Sequence, residues 1–265
     1  DRMMVGEVWP RDQRSLADYL RADELQQAFN FRFLFCPWSA SDFRARIEDV
    51  EELFPRDSWP TYTLSNHDFP RHISRYAAGE STDARARLAA MLLLTLRGTP
   101  FLYYGEEIGM QQVSIPQGRV RDPMGRDGCR TPMQWSNAAG AGFTAASEPW
   151  LPIGDCESIN VARQMDDPDS MLSFYRRMIR ARKESRAFSA GSYRTVADAP
   201  QECLVFIREA EGERVMVALN FADAPRRITT PRGQVIIGTD PRRFGKLSDA
   251  IELSPAEGIA IALER

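Results

Sequence analysis

Beyond Phe188 the helical period disappears from this sequence, and that change constrains the fold more than any other feature. Up to that point, short apolar runs alternate with stretches whose apolar residues recur at three and four. After it, residues 192–197, 203–209, 214–220, 226–230, 234–238 and 258–263 all read as strands. Glu211 and Gly212 join two of them as a hairpin turn. Residues 188–265 are therefore expected to form a small antiparallel all-β domain.

The front part, 1–187, reads as four strand-helix units. Strands are expected at 3–9, at the apolar run 31–35, at 60–64 and at 101–104. Helical patterns are expected near 15–29, through Phe43, Ile47, Val50 and Phe54, and over about 83–97. Ser41 and Asp42 offer the second of these an N-cap, and Pro55 stops it. Gly98 sits where a left-handed residue closes a helix, and Pro100 prevents continuation. Pro168 takes the first position of a last helix, whose inner face carries Met171, Phe174, Tyr175, Met178 and Arg182. Strands that alternate with helices predict an α/β fold with a parallel sheet. A closed (β/α)8 barrel needs eight such units and roughly 250 residues. The expected fold is thus the second half of a (β/α)8 barrel followed by a small antiparallel β-sandwich domain.

Composition narrows the partners. A formal net charge of −3, with 34 basic and 37 acidic residues scattered and no basic run, argues against nucleic acid and anionic membrane. The longest apolar stretch, 88–96, is too short to span a bilayer. Cys36, Cys129, Cys156 and Cys203 are widely spaced and suggest neither a zinc site nor a disulfide framework. Unpaired thiols point to a reducing, cytoplasmic compartment. Only two histidines are present, so no histidine-based metal cluster is available. No cofactor and no metal is expected.

Polar residues gather at the strand ends. The apolar run 59–64 leads into Asn66, His67 and Asp68. At the C-terminal end of a parallel barrel strand such side chains point at a ligand, although the same residues also make ordinary turns. Glu7 is open to two readings as well, a general acid or a solvated strand-end carboxylate. Glu106 and Glu107 look like paired acids, but adjacent residues point in different directions; one is read as bracing its loop and neither as catalytic. Residues 110–166 show little periodicity, and a loop that long is functional or disordered. Trp135, Phe143 and Trp150 argue against disorder, with packing beneath the loop as the expected role for most of its aromatics.

Five blocks follow one another along the chain. They are Gly6-Glu7-Val8-Trp9, Asn66-His67-Asp68, 98–110 (GTPFLYYGEEIGM), 125–135 (GRDGCRTPMQW), and the pair 141–143 (AGF) with 149–152 (PWLP). In that order they resemble glycoside hydrolase family 13, the α-amylase family, and within it the α-glucosidase and oligo-1,6-glucosidase-like branch. The resemblance implies barrel strands five to eight and a retaining, exo-acting α-glucosidase. It implies that Glu7 is the acid/base, that Asp68 stabilises the transition state, and that His67 bonds the same sugar. Arg126 is similar to the arginine that contacts the non-reducing glucose. Arg130 is read as pairing with a carboxylate. Arg71 either contacts the reducing side of the substrate or braces its loop. Implied substrates are α-linked oligosaccharides or disaccharides.

The family's nucleophile block, which precedes the glutamate strand, has no match in residues 1–265. The chain is therefore expected to lack its N-terminal part, nucleophile included, and to be inactive alone. Two alternatives stand beside the hydrolase reading. One is a glucosyl-transferring or isomerising relative of the trehalose synthase or sucrose isomerase type. The other is a non-catalytic protein like a transporter heavy chain, against which Glu7 and Asp68 are both present.

Overall fold

A computed structural model describes residues 2–21, 23–55 and 58–264. The chain folds into two compact units. One comprises Asp1–Thr63, Ala90–Phe101 and Ile179–Arg265; the other comprises Leu64–Ala89 and Leu102–Met178.

The first unit opens with four short parallel strands. β1 (Val5–Gly6) is followed by helix α1 (Gln13–Asp18), capped by Asp12, whose carboxylate accepts from the Ser15 amide. β1 pairs in parallel with β2 (Gln27–Ala28). The expected strand over 31–35 is instead a helical turn, α2 (Phe31–Leu34). Asn30 causes the difference: its side-chain oxygen accepts from the Phe33 amide at 3.1 Å and caps the turn. Helix α3 (Ala40–Leu53) is capped by Ser39, not by the Ser41-Asp42 pair, and ends before Pro55. β3 (Thr61–Thr63) is bridged to Phe29, and its Thr61 hydroxyl donates to the Ala28 carbonyl.

Helix α4 (His72–Arg75) and helix α5 (Thr82–Thr95) follow, and then β4 (Thr99–Phe101), parallel to β3. The turn from α5 to β4 needs Gly98, whose φ is +132° and where a Cβ would lie 2.5 Å from the Pro60 carbonyl oxygen. Of the expected strand 101–104, only Phe101 is paired. After the long loop, α6 (Val161–Gln164) and α7 (Met171–Glu184) bring the chain back to α8 (Arg186–Ala190). Helix α7 starts three residues later than Pro168 suggests, because the Asp167 carbonyl is taken by the Ser170 and Ser173 hydroxyls in a turn.

The β-rich region is one six-stranded antiparallel sheet, ordered β5-β6-β7-β10-β8-β9. Its strands are β5 (Ser192–Thr195), β6 (Cys203–Ala210), β7 (Glu213–Asn220), β8 (Arg226–Gly238), β9 (Gly245–Leu253) and β10 (Gly258–Leu263). The hairpin at Glu211-Gly212 forms as expected, with φ of +51° and +80°. The expected strands 226–230 and 234–238 are one strand, with Pro231 inside a register shift between Thr230 and Gly233. On one face Cys203, Val205, Met216, Ile228, Ile259 and their neighbours form an apolar core. Toward α3, Trp38 and Phe43 pack against Phe221 as tilted rings, and Arg44 donates to the Cys203 carbonyl at 2.8 Å.

Two arginines, Arg208 buried and Arg182 half-buried, complete this unit. Arg208 of β6 is fully buried and donates to the carbonyls of Thr95, Phe188, Gly191 and Ser192. Arg182 of α7 donates to the carbonyls of Leu94 and Leu96, each at 2.9 Å. The last turn of α5 has no intrahelical partners for its carbonyls, and the guanidinium groups supply them. Arg208→Met leaves four carbonyls without their donor, so unfolding free energy should fall by about 3 kcal/mol or more. Urea unfolding followed by circular dichroism measures this, and an unchanged midpoint would contradict the capping role.

Candidate active site

The second unit holds the polar tip that follows β3. Asn66 turns its side-chain oxygen onto the amides of Asp68 at 2.9 Å and Phe69 at 3.0 Å. This local turn sets the direction in which the Asp68 carboxylate leaves the chain. Asp68 Oδ1 accepts from Arg126 Nη1 and from Arg130 Nη2, both at 2.9 Å. His67 Nε2 lies 3.6 Å from the same oxygen. Asp68 Oδ2 accepts no hydrogen bond among the described residues. One carboxylate oxygen is thus held by two guanidinium groups and the other is left open.

The loop that delivers those arginines is closed by carboxylates. Buried Asp127 accepts from the amides of Arg121 at 2.6 Å and Asp122 at 2.9 Å. Asp122 in turn takes Arg126 as a two-pronged pair: Oδ2 accepts from Nε at 2.9 Å and Oδ1 from Nη2 at 2.8 Å. The Arg126 amide also donates to Asp122 at 2.8 Å. Hydrogen bonds from Arg126 hold the Asp122 carboxyl well below the usual carboxylate range, and the same bonds raise the Arg126 guanidinium. Arg130 is fixed at a second point, donating from Nε to the His67 carbonyl at 2.6 Å.

Arg71 does not join this cluster. It is fully buried, its Nε donates to the Tyr104 carbonyl at 3.1 Å, and its guanidinium lies 4.8 Å and 5.1 Å from the Tyr104 and Tyr103 ring centres. Its two terminal nitrogens have no hydrogen-bond partner among the described residues. Glu106 is buried 3.4 Å from His72 Nδ1, and the Ser65 hydroxyl lies 3.3 Å from the same nitrogen. Burial raises the Glu107 carboxyl above its usual range. Glu7 belongs to the first unit, immediately after β1, where it is exposed and makes no hydrogen bond or ion pair among the described residues.

The long loop forms a pocket. The Tyr103 and Tyr104 hydroxyls donate to the carbonyls of Cys129 at 2.9 Å and Thr131 at 2.6 Å, tying the segment after β4 to the 125–135 block. Beneath it Ile108, Met110, Met133 and Leu172 form a small core. Above, a cavity of about 540 Å³ is lined by Tyr104, Glu107, Arg130, Trp135, Phe143 and Trp150, among others. The aromatics of this loop do not pack beneath it as expected: Trp135, Phe143 and Trp150 are 51%, 55% and 73% exposed. Gly140 and Gly142, with φ of +69° and +67°, turn the chain immediately before Phe143.

Sequence reasoning missed Asp122 and the double role of Arg130. The signal was present, since Asp122, Arg126 and Arg130 recur at intervals of four, but it lies in a segment without helical period. Among the described residues no group of three or more His, Cys, Asp or Glu side chains is placed to hold a metal ion. None of the described helices is long and apolar enough to cross a membrane.

Comparison with known proteins places this geometry in a family. The α-amylase catalytic domain matches residues 1–191. A probable α-glucosidase of Rhizobium meliloti (strain 1021) is 36% identical over 236 positions, covering 83% of this chain and 42% of that protein. An oligo-1,6-glucosidase of Parageobacillus thermoglucosidasius is 30% identical over 266 positions, covering 84% and 47%. The trehalulose synthase MutB from Pseudomonas mesoacidophila MX-45 superposes with a TM-score of 0.89 at 29% identity, covering 99% of this chain and 55% of that one. The chain belongs to the α-amylase family of glycoside hydrolases, family 13. It spans about half the length of the curated relatives it matches.

The Asp122 clasp makes a pH prediction. A carboxyl whose folded pKa lies below its ordinary value of 3.8 stabilises the fold above that value. That contribution fades only as pH falls through the folded pKa. The Arg126 Nε–H should therefore remain protected from exchange from neutral pH down to about pH 4. In Asp122→Asn, NMR should find it exchanging freely throughout; equal protection in both proteins would break the assignment.

Proposed function

We propose that this chain is the second half of the catalytic barrel, strands five to eight over residues 1–187, with a small β-sandwich domain over 188–265 that includes the six-stranded sheet. The parent would be a retaining, exo-acting α-glucosidase that releases terminal α-linked glucose from oligosaccharides or disaccharides. The observation that carries this reading is Asp68, with one oxygen clasped by Arg126 and Arg130 and the other unengaged, in a chain of this family.

Retaining glycosidases use one carboxyl as nucleophile and one as acid and then base, about 5–5.5 Å apart. Glu7, without a hydrogen bond among the described residues and directly behind β1, would protonate the departing glycosidic oxygen and then take a proton from water. Asp68 would accept from sugar hydroxyls through its open oxygen. Those bonds strengthen as positive charge develops on the ring, which lowers the barrier. The arginines stop the carboxylate from turning away. His67, largely exposed beside Asp68, would bond the same sugar. Arg126 is the candidate for contact with the non-reducing glucose. For Arg71, its burial against Tyr103 and Tyr104 favours bracing the loop over touching substrate. The nucleophile is assigned to an N-terminal part outside residues 1–265.

A transferring or isomerising enzyme is the second reading. It is supported by similarity to the α-glucosyl transfer enzyme XgtA, with a TM-score of 0.88 at 31% identity over 99% of this chain and 51% of that one. Such enzymes differ in what attacks the glucosyl intermediate, so products from maltose, isomaltose and sucrose separate the two. The presence of Glu7 and Asp68 speaks against a non-catalytic transporter-associated protein. No cofactor enters this chemistry. The unbridged thiols of Cys129, Cys156 and Cys203 suit the proposed cytoplasmic location.

In the full-length protein, Glu7→Gln should lower kcat by about a hundredfold or more with KM little changed, as expected for loss of a general acid. Wild-type turnover would end the proposal. Residues 1–265 alone should release no 4-nitrophenol from 4-nitrophenyl α-glucoside, and turnover that vanishes with Glu7→Gln would show that the nucleophile lies within this chain.

A further inference from the structure

The arginines hold the Asp68 carboxylate, and a second set of contacts holds the loop that carries it. Resting on the role proposed for Asp68, we propose that Glu106, acting through His72, is a positioning residue for that carboxylate. The two ends of loop 66–71 meet at Ser65 and His72, where the His72 amide donates to Ser65 Oγ at 2.9 Å. Arg75 closes the same base, donating from Nε to the Pro70 carbonyl at 3.1 Å and from Nη2 to the Leu64 carbonyl. A compact loop with its ends fixed this way moves as one piece, so whatever locates its base locates Asp68.

His72 supplies the link. Its Nδ1 lies 3.3 Å from Ser65 Oγ and 3.4 Å from Glu106 Oε1, and the His72 and Glu106 side chains are 2% and 0% exposed. Neither Glu106 oxygen accepts a hydrogen bond among the described residues, so His72 is the one partner this buried carboxylate has there. Glu106 itself is fixed, since it opens a short helical turn (Glu106–Ile108) closed by its own carbonyl. That carbonyl accepts from the Gly109 amide at 3.0 Å, and the Gly105 carbonyl accepts from the Met110 amide at 2.8 Å. Next to His72, Arg71 Nε donates to the Tyr104 carbonyl. The Asp68 loop is thus tied to the segment after β4 at two adjacent residues, both buried.

The chemistry of the tie argues for positioning over cohesion. Taking a carboxylate and an imidazole out of water is costly, and apolar side chains of similar volume often stabilise a fold as well or better. Apolar contact is non-directional, however, and tolerates a small slide of one segment on the other. A polar contact between two particular atoms specifies one register. The arginine clasp needs that register, because Arg126 and Arg130 reach a single Asp68 oxygen, each at 2.9 Å. A slide of about 1 Å at the loop carries that oxygen beyond hydrogen-bond range.

The test replaces the pair with apolar groups in the full-length protein. His72→Leu combined with Glu106→Leu leaves no buried charge unpaired, and dispersed methyl signals report that the variant is folded. By NMR, the Arg130 Nε–H that donates to the His67 carbonyl should exchange about tenfold faster. On maltose, kcat should fall about tenfold while KM changes less than about twofold. His72→Asn, whose side-chain amide takes the place of Nδ1, should keep both readouts near wild type. If the double variant does not fold, Glu106→Met is read in the same way. Unchanged Arg130 exchange in the folded apolar variant overturns the proposal, as does an equal loss in His72→Asn. Faster exchange with kcat unchanged supports the tie and overturns the role of Asp68 in turnover instead.

Discussion

The C-terminal end of helix α5 is the point on which the first unit turns. Its last carbonyls face inward, where water cannot serve them, and Gly98 follows with a φ that only glycine adopts easily. Arg208 and Arg182 answer that deficit from a strand and a helix more than eighty residues away in sequence. Burial pushes the Arg208 guanidinium down to about 9 and Arg182 down to about 10, so both remain charged at neutral pH. Charge-assisted bonds to carbonyls are strong, about 1.5–3 kcal/mol each, but stripping water from a guanidinium costs several kcal/mol. The two nearly offset. What the arrangement contributes is a unique position for β6 and α7 relative to the α5–β4 turn, within one packed unit.

Helices with strong local signals were legible in the sequence. The stop after α5, the hairpin at Glu211-Gly212 and most strands of the antiparallel sheet follow from periodicity and turn chemistry. Elements fixed by distant partners were not. β2 has two residues, and Gln27 is secured by its side chain donating to Thr99 Oγ1 at 2.7 Å, seventy-two residues away. β9 escaped notice because Asp249, with a φ of +69°, interrupts the alternation of Leu247, Ile251 and Leu253. Within the site, Asp68, His67 and Arg126 could be named from short blocks. Asp122 could not, since its importance lies in the direction of the Arg126 fork.

The loop between Met110 and Asp166 shows how irregular chain holds a defined shape. With few ladders available, side chains take the place of backbone partners. Gln134 donates to the carbonyls of Asp155 and Ile159, and Gln164 to that of Ile108 at 2.8 Å. Each bond closes a span that periodicity cannot reveal, and the apolar cluster under the loop gives these bonds a dry surrounding. A segment that looks unstructured by pattern is therefore ordered by its own polar side chains.

The Asp68 clasp has an electrical consequence. Two carboxylates, Asp68 and Asp122, interlock with two guanidinium groups, those of Arg126 and Arg130, so the formal charges within this group cancel. A group with no net charge projects a field that dies away within a few ångströms. It neither draws anions nor repels them from a distance, and salt has little to screen.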